Sequence, residues 1–552
     1  TQEGKIMKRK AVAAVLTAVM VASMFTGCGS DNGSSSAKSA SAASAASAAN
    51  DTVDEDGKVN GIMYQEGLPL VDEGDYTFSI FCDDSSESGE FIMLDEFKKQ
   101  TNVDVDLKIY PYETATERLN LDLNSGDYAD VIGGWTLSDN AILTYGVNQG
   151  VFIPLEDYFE KYCPNISAIL DLPGVREKMT APDGHIYTIP YVCTDTTVGY
   201  SPYINTKWLE NVGMSMPTTT DEFEAVLKAF KEQDANGNGD ASDEIPFSTD
   251  PNNKHIEAMA GYFGLPMNKL GIAIQNEKVV YGGVSDTYRE FLSWFHKLYA
   301  EGLVDVELYT QDSSTWEGKG NQDLYGVSIA YGSNEFTGIP AAEERGDFDS
   351  MPVLNTDKDG IWLRDTEGFS VYRTQAVITN KAEHPEIICR WFDNAFALEN
   401  GIGCNRGPVG VIVNKEDDGY HAIDTTTLSE EDQEKYSWGN LWPQSLPKYL
   451  PVDFEFVEEH PMYDEKKATE EAYEANLTKE IIPSYWIDLD KIDTFSDTNT
   501  AIKDFFEQQQ AQFVCGELDI DNDADWQAYV DGMYSLGLED WVATQGIEEI
   551  AK

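Results

Sequence analysis

The chain has 552 residues, of which 41% are hydrophobic. Because a single hydrophobic core stops growing at about 250–300 residues, this length predicts two lobes or domains. The chain carries 98 acidic and 38 basic residues, a formal net charge of −60, and such a surface repels phosphate backbones, which argues against nucleic-acid binding.

The start of the chain has the features of an exported lipoprotein. Three basic residues precede the apolar run Ala11–Phe25, which suits a signal peptide, whereas a membrane-spanning helix needs about 20 apolar residues. Small residues then precede Cys28, a pattern that resembles a bacterial lipobox, although Phe25 stands where leucine is usual. We therefore expect residues 1–28 to be a signal peptide and Cys28 to be acylated, which would anchor the protein to the outer face of the cell membrane.

A polar segment follows the cysteine. Residues 29–50 are mostly Ser, Ala, Gly and Asn, and residues 51–73 add many charged side chains. Such a composition lacks the periodic apolar residues that a core requires. The sequence therefore predicts a flexible tether over residues 29–74, with the folded part starting near Asp75.

Strands and helices alternate in the next stretch. Alternating or apolar residues predict strands at Tyr76–Phe81, Val103–Ile109 and Asp130–Gly133. Apolar residues at helical spacing predict helices over Glu90–Gln100 and Thr114–Asn124. Short loops between such elements favour a parallel α/β sheet, in which ligands bind beyond the carboxyl ends of the strands.

Four motifs stand in the order of a known family. Residues 126–131, Gly-Asp-Tyr-Ala-Asp-Val, resemble the "G-D-x-x-D-V" strand of extracellular solute-binding proteins of family 1, the sugar receptors of ABC importers. Residues 184–190 resemble the family's "G-K-x-Y-x-I-P" hairpin, and residues 203–219 resemble its "Y-N-x-x-x-L-x-x-x-G…P-x-T" stretch. Residues 379–386 resemble a later strand–helix turn, so the resemblance extends from about Asp75 to the C-terminus.

The resemblance implies the periplasmic-binding-protein type II fold, in which two α/β lobes hold the ligand in a cleft. By analogy, crossing segments between the lobes are expected near residues 192–199, 372–377 and 480–486. The implied first lobe contains residues 75–193 and 375–479, and the implied second lobe contains residues 194–374 and 480–552.

An acidic loop predicts a structural calcium site. Oxygen-bearing side chains alternate there with glycines, as at the start of an EF-hand loop, but Ile245 stands where an EF-hand has its closing glutamate. The loop instead resembles the calcium loop of alginate-binding-type receptors, which an Asp-Glu pair closes. The candidate ligands are Asp234, Asn236, Asn238, Asp240 through its main-chain carbonyl, Asp243 and Glu244. The alternative is an acidic turn that binds no metal.

Aromatic and acidic side chains at strand ends and crossings are the candidates for sugar binding. Sugars present an apolar face of C–H groups and a polar rim, which receptors meet with flat rings and with carboxylates. The predicted ligand-binding residues are Asp83, Asp84, Trp135, Tyr191, Tyr200, Tyr331 and Trp442.

The six histidines form no catalytic or zinc-binding pattern, and neither a nucleophile elbow nor a phosphate loop is present. The leading hypothesis is therefore a monomeric, non-enzymatic lipoprotein that captures an oligosaccharide by lobe closure and delivers it to an ABC permease. The abundant carboxylates leave a surface glycoside hydrolase as an alternative. A receptor for a peptide or another non-sugar solute is a further alternative on the same fold.

Overall fold

A computed structural model describes residues 51–84, 90–250, 255–338, 347–451, 454, 456–457 and 461–551. The predicted signal peptide, Cys28 and residues 29–50 of the predicted tether lie outside the described residues. Two lobes have separate hydrophobic cores. Phe78, Trp391 and Trp442 belong to the core of the first lobe, and Trp208 and Phe295 belong to that of the second.

The first lobe is built on a four-stranded sheet. Its strand order is Ala376–Ile378, Val131–Gly133, Tyr76–Asp83, Val103–Tyr110. The last three strands are parallel, with Tyr76 opposite Val103 and Ile80 opposite Val131, which confirms the predicted α/β arrangement. Successive side chains of a strand point to opposite faces of the sheet, so Ile80 and Phe81 pack into cores on the two sides.

Helices cover both faces of this sheet. The predicted helices are present at Ile92–Thr101 and Tyr112–Ser125. In the part of the chain that the structure describes, the remaining helices of the first lobe are Asp139–Ala141, the π-helical Ile142–Asn148, Glu156–Tyr162, Pro164–Leu170, Val175–Met179, Pro385–Ala395, Leu398–Arg406, Glu430–Lys435 and the 3-10 helices Thr425–Thr427 and Trp438–Asn440. Two small hairpins pair Lys58–Val59 with Met63–Tyr64 and Val413–Glu416 with Gly419–Ala422.

The second lobe has a mixed four-stranded sheet of order Phe348–Ser350, Ser201–Asn205, Tyr325–Ala330, Ile245–Thr249. Its smaller sheets pair Ile272–Gln275, Lys278–Tyr281 and Glu549–Ile550, and Trp362–Arg364 with Leu477–Ile481. Its helices include Thr206–Val212, Thr220–Glu232, the 3-10 helices Ile256–Phe263 and Glu474–Asn476, Asp286–Ala300, Ser313–Asn321, Asn334–Thr337, Pro461–Tyr473, Ile492–Cys515, Asp523–Ser535 and Leu538–Thr544.

A two-stranded ribbon connects the lobes. The strand Tyr191–Thr194 pairs antiparallel with Phe369–Tyr372, and Tyr191 lies opposite Tyr372. Val192 packs into the core of the first lobe and Val198 into that of the second, so the chain changes lobes between them. We call this pair of strands the hinge ribbon.

Two predicted boundaries are wrong. The tether was expected to extend to residue 74, but Val59, Met63 and Val71 are fully buried in the core of the first lobe. The isolated apolar residues of this charged segment are therefore core residues, and the packed chain begins before Asp75. The helix Pro461–Tyr473 was assigned to the first lobe, but Tyr473 is fully buried in the core of the second.

Among the described residues, no helix combines the length and the apolar character that crossing a membrane requires.

The six cysteines after Cys28 are all free thiols, four of them buried. Burial raises the pKa of the Cys82 and Cys404 thiols, which makes them poor nucleophiles.

The substitution Met63→Ala tests whether residues 51–74 stabilise the fold. Because Met63 is fully buried, its truncation is expected to cost about 2–5 kcal/mol of unfolding free energy. Val53→Ala is the control in the same segment, since Val53 is half exposed and its truncation should change stability by less than about 0.5 kcal/mol. Denaturant unfolding measures both, and equal stabilities would show that the segment is a tether after all.

Candidate functional site

Trp135 stands at the carboxyl end of a first-lobe strand, directly after Val131–Gly133. Its side chain is 47% exposed, which is unusual for an indole. The turn that presents it depends on Gly134, whose φ of 133° disfavours other residues and where a side chain would collide with the Asp83 carboxylate. The main-chain N–H groups of Trp135 and Thr136 donate to that carboxylate at 3.0 and 2.6 Å.

The Asp83 and Asp84 carboxylates therefore stabilise the first lobe and do not line the cleft. Both side chains are buried, and burial raises the pKa of Asp83. Asp84 accepts a hydrogen bond from the main chain of Gln444 at 2.7 Å. The prediction that these carboxylates contact ligand hydroxyls is corrected, because they face main-chain donors inside the lobe and hold the strand-end loops in place.

Three aromatic rings meet where the first lobe joins the hinge ribbon. The Trp135 ring lies edge-on to Tyr372, with 5.3 Å between centroids, and 6.5 Å from Tyr191. The Tyr191 and Tyr372 rings, opposite each other in the ribbon, are 5.4 Å apart. Tyr191 is buried behind the cluster, so Trp135 and Tyr372 provide its accessible surface.

A carboxylate on the hinge ties these rings to the second lobe. Asp195 accepts hydrogen bonds from the hydroxyls of Ser370 at 2.6 Å and Tyr372 at 3.3 Å. Its other oxygen accepts from the Tyr331 hydroxyl, in the second lobe, at 3.2 Å. That oxygen also accepts from the main-chain N–H of Thr196 at 2.8 Å, so four donors of the protein fill the acceptor sites of the Asp195 carboxylate. Sequence reasoning missed Asp195 and Tyr372, although both lie in or next to the predicted crossings.

The second lobe contributes a wall of aromatic residues. Tyr331 follows the strand Tyr325–Ala330, and its ring has the Lys466 ammonium 3.8 Å from its centroid. Tyr200 lies 6.0 Å from Tyr331 and stacks on His255 at 4.1 Å. Burial of the ring, and to a smaller extent the positive charge of the nearby Lys269, lowers the pKa of His255 to about 4. The ring is therefore neutral at physiological pH.

The structure thus brings together four of the predicted ligand-binding residues: Trp135, Tyr191, Tyr200 and Tyr331. It places Trp442 elsewhere, and that prediction is wrong. Trp442 is fully buried in the core of the first lobe, where it stacks on Trp391 at 5.7 Å and its indole N–H donates to the Leu446 carbonyl at 3.3 Å. An indole with both faces packed and its donor satisfied is a core residue.

The acidic loop at residues 234–244 has the donor groups of a cation site. The Asp243 carboxylate accepts hydrogen bonds from the Asn236 and Asn238 amides at 3.1 and 2.7 Å, which draws these three side chains together. Asp234 Oδ1 and Glu244 Oε2 are both buried without a hydrogen-bond partner in the structure. Buried carboxylate oxygens without donors are costly, and a hard cation such as Ca²⁺ would satisfy them. The residues present therefore fit calcium.

Two lobes joined by a hinge, with polar and aromatic groups converging between them, define a solute receptor. The chain matches the family of bacterial extracellular solute-binding proteins over residues 84–401, and it belongs to that family.

Individual relatives agree with this assignment. The chain is 31% identical to the fructooligosaccharide ABC transporter substrate-binding protein FusA of Streptococcus pneumoniae serotype 4 over 411 residues, 72% of this chain and 70% of FusA. The structure of S. pneumoniae FusA in complex with kestose superimposes with a TM-score of 0.74 at 26% identity, covering 85% of this chain and 98% of that one. A FusA EF-hand mutant in complex with fructo-nystose gives a TM-score of 0.73 at 27% identity, with the same coverage.

Truncation of two tryptophans tests which ring lies in the core and which lies in the cleft. Trp442→Ala removes a fully buried ring and should cost about 3–5 kcal/mol of unfolding free energy. Trp135→Ala removes a half-exposed ring and should cost less than about 1 kcal/mol. Chemical denaturation measures both, and a larger loss at Trp135 would contradict the placement of the two rings.

Proposed function

We propose that this protein captures an oligosaccharide in the cleft between its lobes and delivers it to the permease of an ABC importer. The observation that carries the proposal is the convergence of Trp135, Tyr372 and Tyr331 around Asp195, where both lobes meet the hinge ribbon. The similarity to FusA supports an oligosaccharide as the ligand, and kestose-type fructooligosaccharides are the first class to test.

The chemical groups at this site match the apolar face and the hydroxyl groups of a sugar ring. Trp135 offers an exposed flat face for the C–H groups of a ring, and the Tyr331 and Tyr372 hydroxyls, which Asp195 holds in place, can accept hydrogen bonds from the hydroxyls of the ring. Trp135 belongs to the first lobe and Tyr331 to the second, so a ligand that touches both favours the arrangement in which the lobes are close. Binding energy thereby drives hinge closure, and the closed form is the one that the permease receives.

The protein acts as a monomeric carrier, and no bond of the sugar is made or broken. Acylation at Cys28 holds it at the outer face of the cell membrane, near its permease. The lipobox-like residues before Cys28 support the anchor. Replacement of Cys28 by Ala is expected to release the protein from membranes, and retention of the variant in the membrane fraction would refute the anchor.

Calcium in the acidic loop would stabilise the second lobe. Asp234, Asn236, Asn238, the Asp240 carbonyl, Asp243 and Glu244 would hold it. A bound calcium ion supplies positive charge that offsets the clustered carboxylates. The EF-hand studied in FusA supports such a site in this chain.

Two cleft variants test the proposed function. Trp135→Ala removes the stacking surface, and Asp195→Asn removes the negative charge and half of the acceptor capacity that orient Tyr331 and Tyr372. Each is expected to weaken binding of a fructooligosaccharide at least about tenfold, which corresponds to about 1.4 kcal/mol. Isothermal titration calorimetry measures the affinities.

Asp540→Asn is the matched control, since it removes the same charge from an exposed position on the helix Leu538–Thr544. Its affinity should equal that of the wild type. Unchanged affinity in both cleft variants would contradict the assigned site. Recovery of a labelled oligosaccharide intact after incubation supports a carrier, and its cleavage would identify a glycoside hydrolase instead.

Removing calcium tests the acidic loop. Excess chelator is expected to lower the melting temperature by several degrees, because a ligand that binds only the folded state stabilises it by mass action. The variant Asp243→Asn should melt at the lower temperature without chelator and respond little to it. If chelator leaves the melting of the wild type unchanged, the loop is an acidic turn that holds no metal.

A further inference from the structure

A loop at residues 438–448 covers the carboxyl ends of the first-lobe strands. Gln444 donates its main-chain N–H to the Asp84 carboxylate at 2.7 Å, just beyond the strand Tyr76–Asp83. Leu446 packs so closely on Gly133 that any side chain at that position would collide with it. The loop therefore lies at the carboxyl ends of the strands, the same end of the sheet that presents Trp135.

Trp438, at the start of this loop, has an exposed indole. Its side chain is 55% exposed, more than that of Trp135. The main chain beneath it is fixed, because the Trp438 carbonyl accepts a hydrogen bond from the Gln444 amide at 2.9 Å. Sequence reasoning singled out Trp442, four residues later, which is the core residue of the same loop. A rigidly held and exposed ring at a cleft edge is a surface on which a flat apolar face can stack.

A buried lysine lies beneath the Trp438 ring. Lys448 is 4% exposed, and its ammonium lies 5.0 Å from the centroid of the Trp438 ring. Within the described residues, its hydrogen-bond acceptor is the side-chain carbonyl of Gln444. The ammonium faces the inner side of the ring, and this cation–π contact helps to fix the orientation of the indole. Burial lowers the pKa of Lys448 to about 8, so most of the lysine is still protonated at neutral pH.

A second exposed ring stands at the same edge. Tyr112 follows the strand Val103–Tyr110 and is 39% exposed. Neighbouring strands lie about 4.8 Å apart, so the strand that leads to Tyr112 lies about 10 Å from the strand that leads to Trp135. Asp84 donates its main-chain N–H to the Tyr110 carbonyl at 3.2 Å and accepts from the Gln444 main chain at 2.7 Å, which places Tyr112 and the loop of Trp438 on the same part of the sheet. The aromatic surface therefore extends beyond the reach of a single sugar ring.

We propose that Trp438 and Tyr112 form an outer subsite of the cleft. The first sugar unit of a bound oligosaccharide lies at Trp135 and Tyr372, and a later unit of the same oligosaccharide lies at the outer subsite. The ligand class is a neutral oligosaccharide, whose outer ring would stack on Trp438 and donate or accept hydrogen bonds at the edge of the loop. A sugar suits this surface better than a partner protein, because both rings lie at the strand ends that also present Trp135. The inference rests on the proposed function and specifies it further, since it predicts selection for chain length.

Affinity as a function of chain length tests the outer subsite. Wild-type protein should bind a tetrasaccharide more tightly than the matching disaccharide. Trp438→Ala should weaken tetrasaccharide binding about tenfold and leave disaccharide binding unchanged, because only the longer chain reaches the ring. Trp438→Phe, which keeps a flat ring, should restore most of the loss, and Tyr112→Ala should show the same dependence on length as Trp438→Ala.

Tyr534→Ala is the control, since it removes an exposed ring from the second-lobe helix Asp523–Ser535. It should bind both lengths as the wild type does. The outer subsite is overturned, and the proposed function stands, if Trp438→Ala binds the tetrasaccharide as the wild type does or loses affinity equally for both lengths. If the wild type binds no oligosaccharide of any length, the proposed function fails, and the outer subsite fails with it.

Discussion

The cleft depends on one carboxylate at the junction of the lobes. Asp195 accepts hydroxyl hydrogen bonds from Ser370 and Tyr372 on the hinge ribbon and from Tyr331 in the second lobe. A carboxylate withdrawn from bulk water requires such donors, and hydrogen bonds to a charged acceptor are stronger than neutral ones. The orientations of both tyrosine rings therefore follow from Asp195, and Trp135 packs against one of them.

Arg373 directly follows the hinge strand Phe369–Tyr372 and holds the chain segment at Tyr485 and Trp486 in place. Arg373 donates to the Asp139 carboxylate at 2.8 Å and to the Tyr485 carbonyl at 2.8 Å. Its guanidinium lies 4.1 Å from the centroid of the Trp486 ring. Arg373 thus holds the segment before the helix Ile492–Cys515 against the first lobe, while the later part of that helix packs into the core of the second. If the lobes close on a ligand as proposed, the motion is a rotation of two packed bodies about the hinge ribbon and the segment that Arg373 holds.

Much of the fold was predictable from local patterns. The alternation in Tyr76–Phe81 and Val103–Ile109 predicted two strands, because successive side chains of a strand point to opposite faces of the sheet, and the helix between them predicted that the two strands are parallel. The roles of Asp83 and Trp442 were not predictable in the same way. An aspartate after a strand reaches the cleft or caps a neighbouring turn depending on where the next loop runs. Likewise, Trp438 and Trp442 lie in one loop, and only tertiary packing decides which of them is buried.

The missed contacts share a physical reason. Tyr372 meets Asp195 across 177 residues of sequence, and Tyr331 meets it across 136, so neither contact leaves a local signal. The packed segment before Asp75 was missed because Val59 and Met63 are single apolar residues among charged ones, which is also the composition of a tether. In both cases the determining contacts are long-range and become evident only in the folded chain.

The central claim is that an oligosaccharide is held between the lobes and closes them. Small-angle X-ray scattering of the purified protein, with and without a saturating fructooligosaccharide, tests it most directly. The account predicts a smaller radius of gyration with the sugar than without it, and no such change for the Trp135→Ala variant at the same sugar concentration. A radius of gyration that is unchanged when calorimetry shows the wild type to be saturated would contradict closure around the ligand.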